Sequence, residues 1–162
     1  MKSKKKRFFQ FDLKLMYVCA IQAKTEAEVK QWFMEQGAQC LDEQPVTADE
    51  LRLMHSHTVP DSRNAKCFIT CIFKKAKWID ANGMFSEENA VKTAEVDHSE
   101  EPTKIENAKK LFTVCKTVND ATYSGADGDC ERGASLANCF IENAPKVHIK
   151  LQIFQMGFIL PS

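Results

Sequence analysis

The sequence predicts an all-α domain of about six helices that is crosslinked by disulfides. Apolar residues recur with a helical period, and residues typical of helix starts and stops separate the periodic segments. In the apolar stretch 64–73, Cys67 and Cys71 stand four residues apart, which places both thiols near one face of a helix. Phe68 and Ile72 form a second stripe at the same spacing. We interpret this stretch as a central helix joined to two different neighbours.

Composition indicates one folded domain with an unusual number of cysteines. The chain has 162 residues, of which 44% are hydrophobic and 27% charged, so it can bury a real core and is not globally disordered. It contains seven cysteines, which leaves one without a partner if all the others pair.

Residues 1–23 have the pattern of a secretory signal peptide cut after Ala23. A basic start is followed by the apolar run 15–21, which is too short to cross a membrane, although Asp12 and Lys14 interrupt the apolar region. Cleavage would remove Cys19 and leave six cysteines. It would also remove six basic residues and one acidic residue, and the resulting negative charge argues against nucleic-acid binding. The alternatives are a basic cytosolic tail or an extension from a wrong start codon.

The first predicted helix begins near Lys24 and ends near Gly37, with Val29 and Phe33 on its apolar face. A second, short helix follows Pro45, because Thr47 and Glu50 form a capping box, and it ends near His57.

Asp61 or Ser62 is expected to cap the central helix, which should end near Lys77. Residues 80–83 have the composition of a turn. Ser86 should cap the next helix, whose weak apolar side includes Ala94.

Pro102 occupies a favoured first-turn position and should open a stronger helix, on which Phe112 and Cys115 share a face. The last helix is predicted from about Asp129 to Ala144. The predicted helices together form a helical domain over residues 24–145.

The tail, residues 146–162, departs from the helical pattern. Apolar residues alternate with polar ones from Val147 to Ile153, and an almost uncharged run follows. Such a tail needs an apolar surface to lie on or a pocket to enter. The alternative is that the tail is not a genuine part of the mature protein.

The spacing of the six remaining cysteines does not by itself fix how they pair. Cys67 and Cys71 could pair only by distorting their helix, so each should reach a different neighbour. Cys130 and Cys139 should face opposite sides of the last predicted helix, so they too should bind different partners. A zinc site is disfavoured, because the sequence has no CxxC pair and its four histidines lie away from paired cysteines, so no metal or cofactor is expected.

The intervals of three and eight residues after the second and fifth of these cysteines resemble those of the insect odorant-binding protein family, over about residues 24–145. The secretory start and the helix count are also similar to those of the family. The resemblance implies about six helices around an apolar cavity and three interlocked disulfides. It implies the pairs Cys40–Cys71, Cys67–Cys130 and Cys115–Cys139.

By the same resemblance, the protein is expected to be a secreted carrier of small hydrophobic molecules, such as odorants or pheromones, which it delivers to a chemosensory receptor. Candidate ligand-lining residues are the large apolar side chains on inward stripes: Leu53, Met54, Phe68, Ile72, Phe73, Trp78, Phe85, Leu111, Phe112, Phe140 and Phe154. For each of these residues taken singly, plain core is the favoured alternative. Thr113, Tyr123 or His55 could supply a polar anchor, and His148 could make binding pH-dependent.

Catalysis is not expected, because the sequence contains neither a GxSxG nor an HExxH motif, and Asp97-His98 is an isolated dipeptide. Two other classes stay open. One is a non-olfactory carrier of lipids, hormones or small amines, and the other is an interaction protein with a filled core. The sequence does not decide the oligomeric state, and a homodimer is one of the alternatives.

Overall fold

A computed structural model describes residues 24–151, and in this range the chain forms six α-helices and no β-strand. The prediction of an all-α fold with about six helices is therefore confirmed. Short 3₁₀ turns follow the fifth and sixth helices, at Lys116–Asn119 and Ala144–Val147. The helices are α1 (Glu26–Glu43), α2 (Ala48–His55), α3 (Arg63–Lys75), α4 (Glu87–Asp97), α5 (Pro102–Cys115) and α6 (Gly128–Asn143).

Helix starts lie where the sequence places them, because side chains satisfy the free backbone N–H groups there. The backbone N–H of Glu50 donates to the hydroxyl of Thr47, and Glu50 accepts in return from the Thr47 N–H at 2.7 Å. Ser62, rather than Asp61, caps α3. Ser86 caps α4, and Pro102 is the first residue of α5.

The predicted end of the first helix at Gly37 is wrong, because α1 continues to Glu43. Gly37 lies buried in the helix interior, and Cys40, one turn further on, is fully buried. The disulfide from Cys40 to Cys71 fixes this last part of α1 against α3. A tertiary crosslink therefore outweighs the weak helix propensity of glycine.

The three disulfides connect Cys40 to Cys71, Cys67 to Cys130, and Cys115 to Cys139, as the family resemblance implied. Helix α3 supplies two of these cysteines, so it is fastened to α1 through one and to α6 through the other. The third disulfide fastens the end of α5 to α6.

Helices α3 and α6 form the most extensive helix pair of the fold. A Cβ atom added at Gly133 of α6 would lie 2.9 Å from the Cβ of Thr70 and 3.1 Å from its Cα, so the two backbones approach closely there. At the edges of the contact, three ion pairs join basic residues of α3 to acidic residues at the start of α6: Arg63–Asp127, Lys66–Glu131 and Lys74–Asp129.

The predicted turn over residues 80–83 is confirmed. The carboxylate of Asp80 accepts backbone N–H groups of Asn82 at 2.8 Å and Met84 at 3.0 Å, and Gly83 takes the positive φ of 74° that the turn requires. An isolated antiparallel bridge between Ile79 and Phe85 closes the loop.

Two predictions fall on the parts of the chain outside residues 24–151. The proposed signal peptide, residues 1–23, lies there, and so do residues 152–162 of the tail with Phe154. The described part of the tail packs on the fold, where Val147, Ile149 and Leu151 touch the hydrophobic core. Among the described helices, none combines the length and the hydropathy that a membrane span requires.

Removing the Cys67–Cys130 disulfide should destabilise the fold more than removing Cys115–Cys139. The first closes a sequence separation of 63 residues and the second one of 24. In the loop-entropy model, losing them costs about 4 and about 3 kcal/mol of unfolding free energy, respectively. Urea unfolding of the two Cys→Ala double variants, followed by circular dichroism, measures the difference, and a reversed order would contradict the prediction.

Gly133→Ala should lower the unfolding free energy by about 1–3 kcal/mol, because the new methyl group overpacks the α3–α6 contact. The nearest obstacle is the Thr70 hydroxyl. Adding Thr70→Ala to the Gly133→Ala variant should therefore recover part of the loss. Thermal melts of the two single variants and the double variant check this, and strictly additive losses would argue against a steric clash.

Candidate functional site

A cavity of about 300 Å³ lies among α1, α4, α5, α6 and the loop after α3. Both apolar and polar side chains line this cavity. The apolar lining residues are Val29, Phe33, Trp78, Ala94, Ala108, Leu111, Phe112, Phe140, Ile149 and Leu151. The polar lining residues are Glu26, Thr93, Asp97, His98, Lys104, His148 and Lys150.

Trp78 is the largest side chain of the wall and the centre of an aromatic cluster. Its ring centroid lies 6.0 Å from that of Phe33 and 5.9 Å from those of Phe112 and Phe140. Phe73 stacks on it at 5.8 Å. Because these rings come from α1, α3, α5 and α6, one side chain contacts the main elements of the domain.

The backbone after α3 turns Trp78 toward this cluster. Lys77 adopts a left-handed conformation with a φ of 60°, and the Trp78 N–H then donates to the carbonyl of Phe73 at 2.9 Å. This is a helix C-terminal turn in which a non-glycine residue takes the left-handed position.

Ala94 on α4 and Ala108 on α5 provide space in the wall where these two helices pack together. Both are buried, with 7% of their surface exposed. Since alanine carries a single methyl group, the two positions leave room that larger residues would occupy.

Ion pairs join the helix ends at the polar part of the lining. The ammonium of Lys24 lies 2.9 Å from a carboxylate oxygen of Asp97. Lys104 lies 2.8 Å from Glu101 and 3.3 Å from Glu26, and hydrogen bonding to the Glu101 carboxylate raises the pKa of Lys104. These pairs connect the start of α1 to the end of α4 and to the start of α5.

Two buried polar atoms of the lining residues have no hydrogen-bond partner in the described part of the chain, Nε1 of Trp78 and Oδ1 of Asp97, but the Asp97 oxygen has the Lys24 ammonium as an ion-pair partner at 2.9 Å. The indole Nε1–H of Trp78 is buried and donates to no acceptor there. A buried donor without an acceptor costs about 1–3 kcal/mol, so such a group calls for an explanation.

The eleven predicted ligand-lining residues divide into several groups. Trp78, Leu111, Phe112 and Phe140 line the cavity. Leu53 is 43% exposed, and Phe154 lies outside the described residues. The others are buried in the core and are not among the lining residues: Met54, Phe68, Ile72, Phe73 and Phe85. Their roles in ligand binding stay predictions.

None of the three candidate polar anchors lines the cavity. Thr113 donates to Glu87 at 2.7 Å, and this hydrogen bond, followed by that of Lys116, lowers the pKa of Glu87. Tyr123 lies under the guanidinium of Arg132, and His55 is exposed at the end of α2. His148 does line the cavity, in a left-handed conformation with a φ of 56°.

Sequence reasoning missed Phe33 and Val29, although it placed both on the apolar face of the first helix. It also missed Ala94, Ala108 and Ile149, which line the wall as well. The helical period shows which side of each helix faces inward, but it does not distinguish a side chain that fills the core from one that borders a space.

The described residues include one grouping with metal-ligand chemistry, made up of Cys67, Asp127 and Cys130. The two sulfurs are bonded to each other, and Asp127 pairs with Arg63 at 2.6 Å. A disulfide has no thiolate to offer a metal, so this grouping is explained as a structural crosslink beside an ion pair.

Comparisons with known proteins give one consistent result. The PBP/GOBP family matches residues 22–143. General odorant-binding protein 19d of Drosophila melanogaster is 21% identical over 118 residues, which are 73% of this chain and 75% of that protein.

Two solved structures share the fold. The odorant-binding protein dmelOBP28a of Drosophila melanogaster superposes with a TM-score of 0.59 at 26% identity, over 77% of this chain and 98% of that one. Pheromone Binding Protein 3 of Epiphyas postvittana superposes with a TM-score of 0.57 at 21% identity, over 72% and 99%. The expected resemblance to insect odorant-binding proteins is thereby confirmed, and the chain belongs to the PBP/GOBP family.

Proposed function

We propose that this protein is a secreted carrier that binds a small hydrophobic molecule in the cavity around Trp78. The observation that carries the proposal is the cavity itself, with its aromatic and aliphatic walls. Apolar walls with a few polar groups are typical of small-molecule sites. The proposal also draws on membership of the PBP/GOBP family and on relatives named for odorant and pheromone binding.

The size of the cavity favours a compact ligand. Its volume of about 300 Å³ is at the lower end of the range of ligand pockets, about 300–1,000 Å³. A volatile molecule of odorant size matches this volume better than a long-chain lipid does.

We also propose that the protein binds its ligand without transforming it and delivers it to a chemosensory receptor. The rings that pack on Trp78 in the wall, those of Phe33, Phe112 and Phe140, carry no nucleophile or base. Of the charged lining residues, Lys104 and Asp97 are held in ion pairs with other residues. Three crosslinks in a chain of this size suit an oxidising, extracellular compartment.

Filling the cavity should weaken ligand binding without unfolding the protein. Ala108→Phe places a ring in the wall that Ala108 lines, so it should weaken the binding of the apolar fluorophore N-phenyl-1-naphthylamine by about tenfold or more. The increase in probe fluorescence on titration into the oxidised protein measures the affinity.

The matched control is Ala38→Phe, which makes the same change on an exposed face of α1, away from the cavity. It should bind the probe like the unaltered protein. Thermal melts of both variants establish that each is folded. If Ala108→Phe is folded and binds the probe with full affinity, the ligand does not occupy this cavity, and an unaltered protein without saturable binding would refute the carrier function.

A further inference from the structure

The cavity meets solvent beside the start of α1. Trp78 and Phe140 form a deep part of the wall, where both are buried. Three other lining residues are exposed, namely Glu26 in the first turn of α1 and His148 and Lys150 beyond α6. Because exposed lining residues mark where a cavity opens, the opening lies between the start of α1 and the segment that follows α6.

Helix α1 is fixed firmly toward its C-terminal end. Its buried residues are Phe33, Gly37 and Cys40, and Cys40 is bonded to Cys71 of α3. Helix α1 packs mainly on α3, and its contacts with α4 and α5 are few. Residues 24–30, which we call the entrance segment, include no buried residue. A helix end with so few buried contacts opens locally at a low cost in free energy.

Ion pairs join the entrance segment to the helices on the other side of the opening. The ammonium of Lys24 lies 2.9 Å from Oδ1 of Asp97 at the end of α4. The carboxylate of Glu26 lies 3.3 Å from the ammonium of Lys104 near the start of α5. Since Glu26, Asp97 and Lys104 all line the cavity, the two pairs tie the entrance segment to the wall opposite it.

We propose that the entrance segment is the gate through which the ligand enters and leaves the cavity, and that the ion pairs of Lys24 and Lys104 hold this gate closed. The proposal rests on the carrier function and adds the route that the ligand takes. On opening, the start of α1 moves away from α4 and α5, while the disulfide between Cys40 and Cys71 keeps the other end of the helix in place.

The chemistry of these ion pairs suits a gate. The side chains of Lys24 and Lys104 are each 42% exposed, and ion pairs of such groups are weak and screened by salt. Opening also leaves Lys104 with a partner, because Glu101 lies 2.8 Å from the same ammonium. The pairs do not need the ligand to form, so they close the free and the loaded protein alike. They should therefore control the rates of binding and release and have little effect on affinity.

The test replaces both lysines by neutral glutamine. In Lys24→Gln/Lys104→Gln, the association and dissociation rate constants of N-phenyl-1-naphthylamine should each rise by about three- to tenfold, and the dissociation constant should change by less than about twofold. Stopped-flow fluorescence of the oxidised protein measures the two rate constants, and titration measures the dissociation constant.

The matched control is Lys92→Gln/Lys110→Gln, which removes the same charge. Lys92 pairs with Glu88 and Lys110 pairs with Glu106, each within its own helix, and neither lysine lines the cavity. Both rate constants should stay at the values of the unaltered protein.

Salt tests the gate without a substitution. Raising sodium chloride from about 0.02 M to about 0.5 M shortens the Debye length from about 20 Å to about 4 Å, and it should raise both rate constants of the unaltered protein and of the control. The probe is uncharged, so the salt acts on the ion pairs of the protein. Lys24→Gln/Lys104→Gln, which lacks the pairs, should respond much less.

Hydrogen exchange locates the opening. In Lys24→Gln/Lys104→Gln, the backbone amides of residues 29–31 should exchange faster than in the unaltered protein, whereas those of residues 37–40 should not change. Equal acceleration along the whole of α1 would contradict a gate at its start.

The kinetic outcomes distinguish the gate from the carrier function. Rate constants that rise together at an unchanged dissociation constant support the gate. A rise in the dissociation rate constant alone, unchanged rate constants, or an unaltered protein that does not respond to salt overturns the gate and leaves the carrier function intact. If the unaltered protein shows no saturable binding of the probe, both the carrier function and the gate fail.

Discussion

The fold depends on two covalent bonds that leave one helix in different directions. Cys67 and Cys71, one turn apart on α3, bind Cys130 of α6 and Cys40 of α1. The residues between and around them, such as Phe68, are almost completely buried, so α3 forms the centre of the core. Fixing α1 and α6 on either side of α3 determines where the remaining helices can pack.

The third disulfide helps the helical domain to keep its cavity. Cys115 at the end of α5 is joined to Cys139 in α6, so α5 is held to the core at its C-terminal end. Its first turns are held by the ion pairs of Lys104. The wall residue Ala108 lies between these two attachments. A cavity reduces the packing contacts of its wall, and crosslinks that constrain the unfolded chain offset that loss.

The sequence predicted the helix starts well and one helix end poorly. Starts at Thr47, Ser62 and Ser86 are local features, because a side chain within the same turn satisfies the first backbone N–H groups. The end of α1 is not local. Gly37 suggested a stop, but the buried Cys40 extends the helix by pairing with a residue that lies 31 positions further on. Disulfide pairing was predictable only through the family resemblance, since spacing alone left several pairings open.

The cavity walls were only partly predictable, because a space is defined by side chains that are small as well as by those that are large. Large apolar residues on inward stripes include Trp78 and Phe140 but not Ala94 and Ala108, whose short side chains leave the room that a ligand needs. The sequence pattern also does not distinguish Phe73, which packs behind Trp78, from Phe112, which borders the space. Phe73 differs from Phe112 because its ring faces other side chains of the core, whereas the ring of Phe112 faces the cavity.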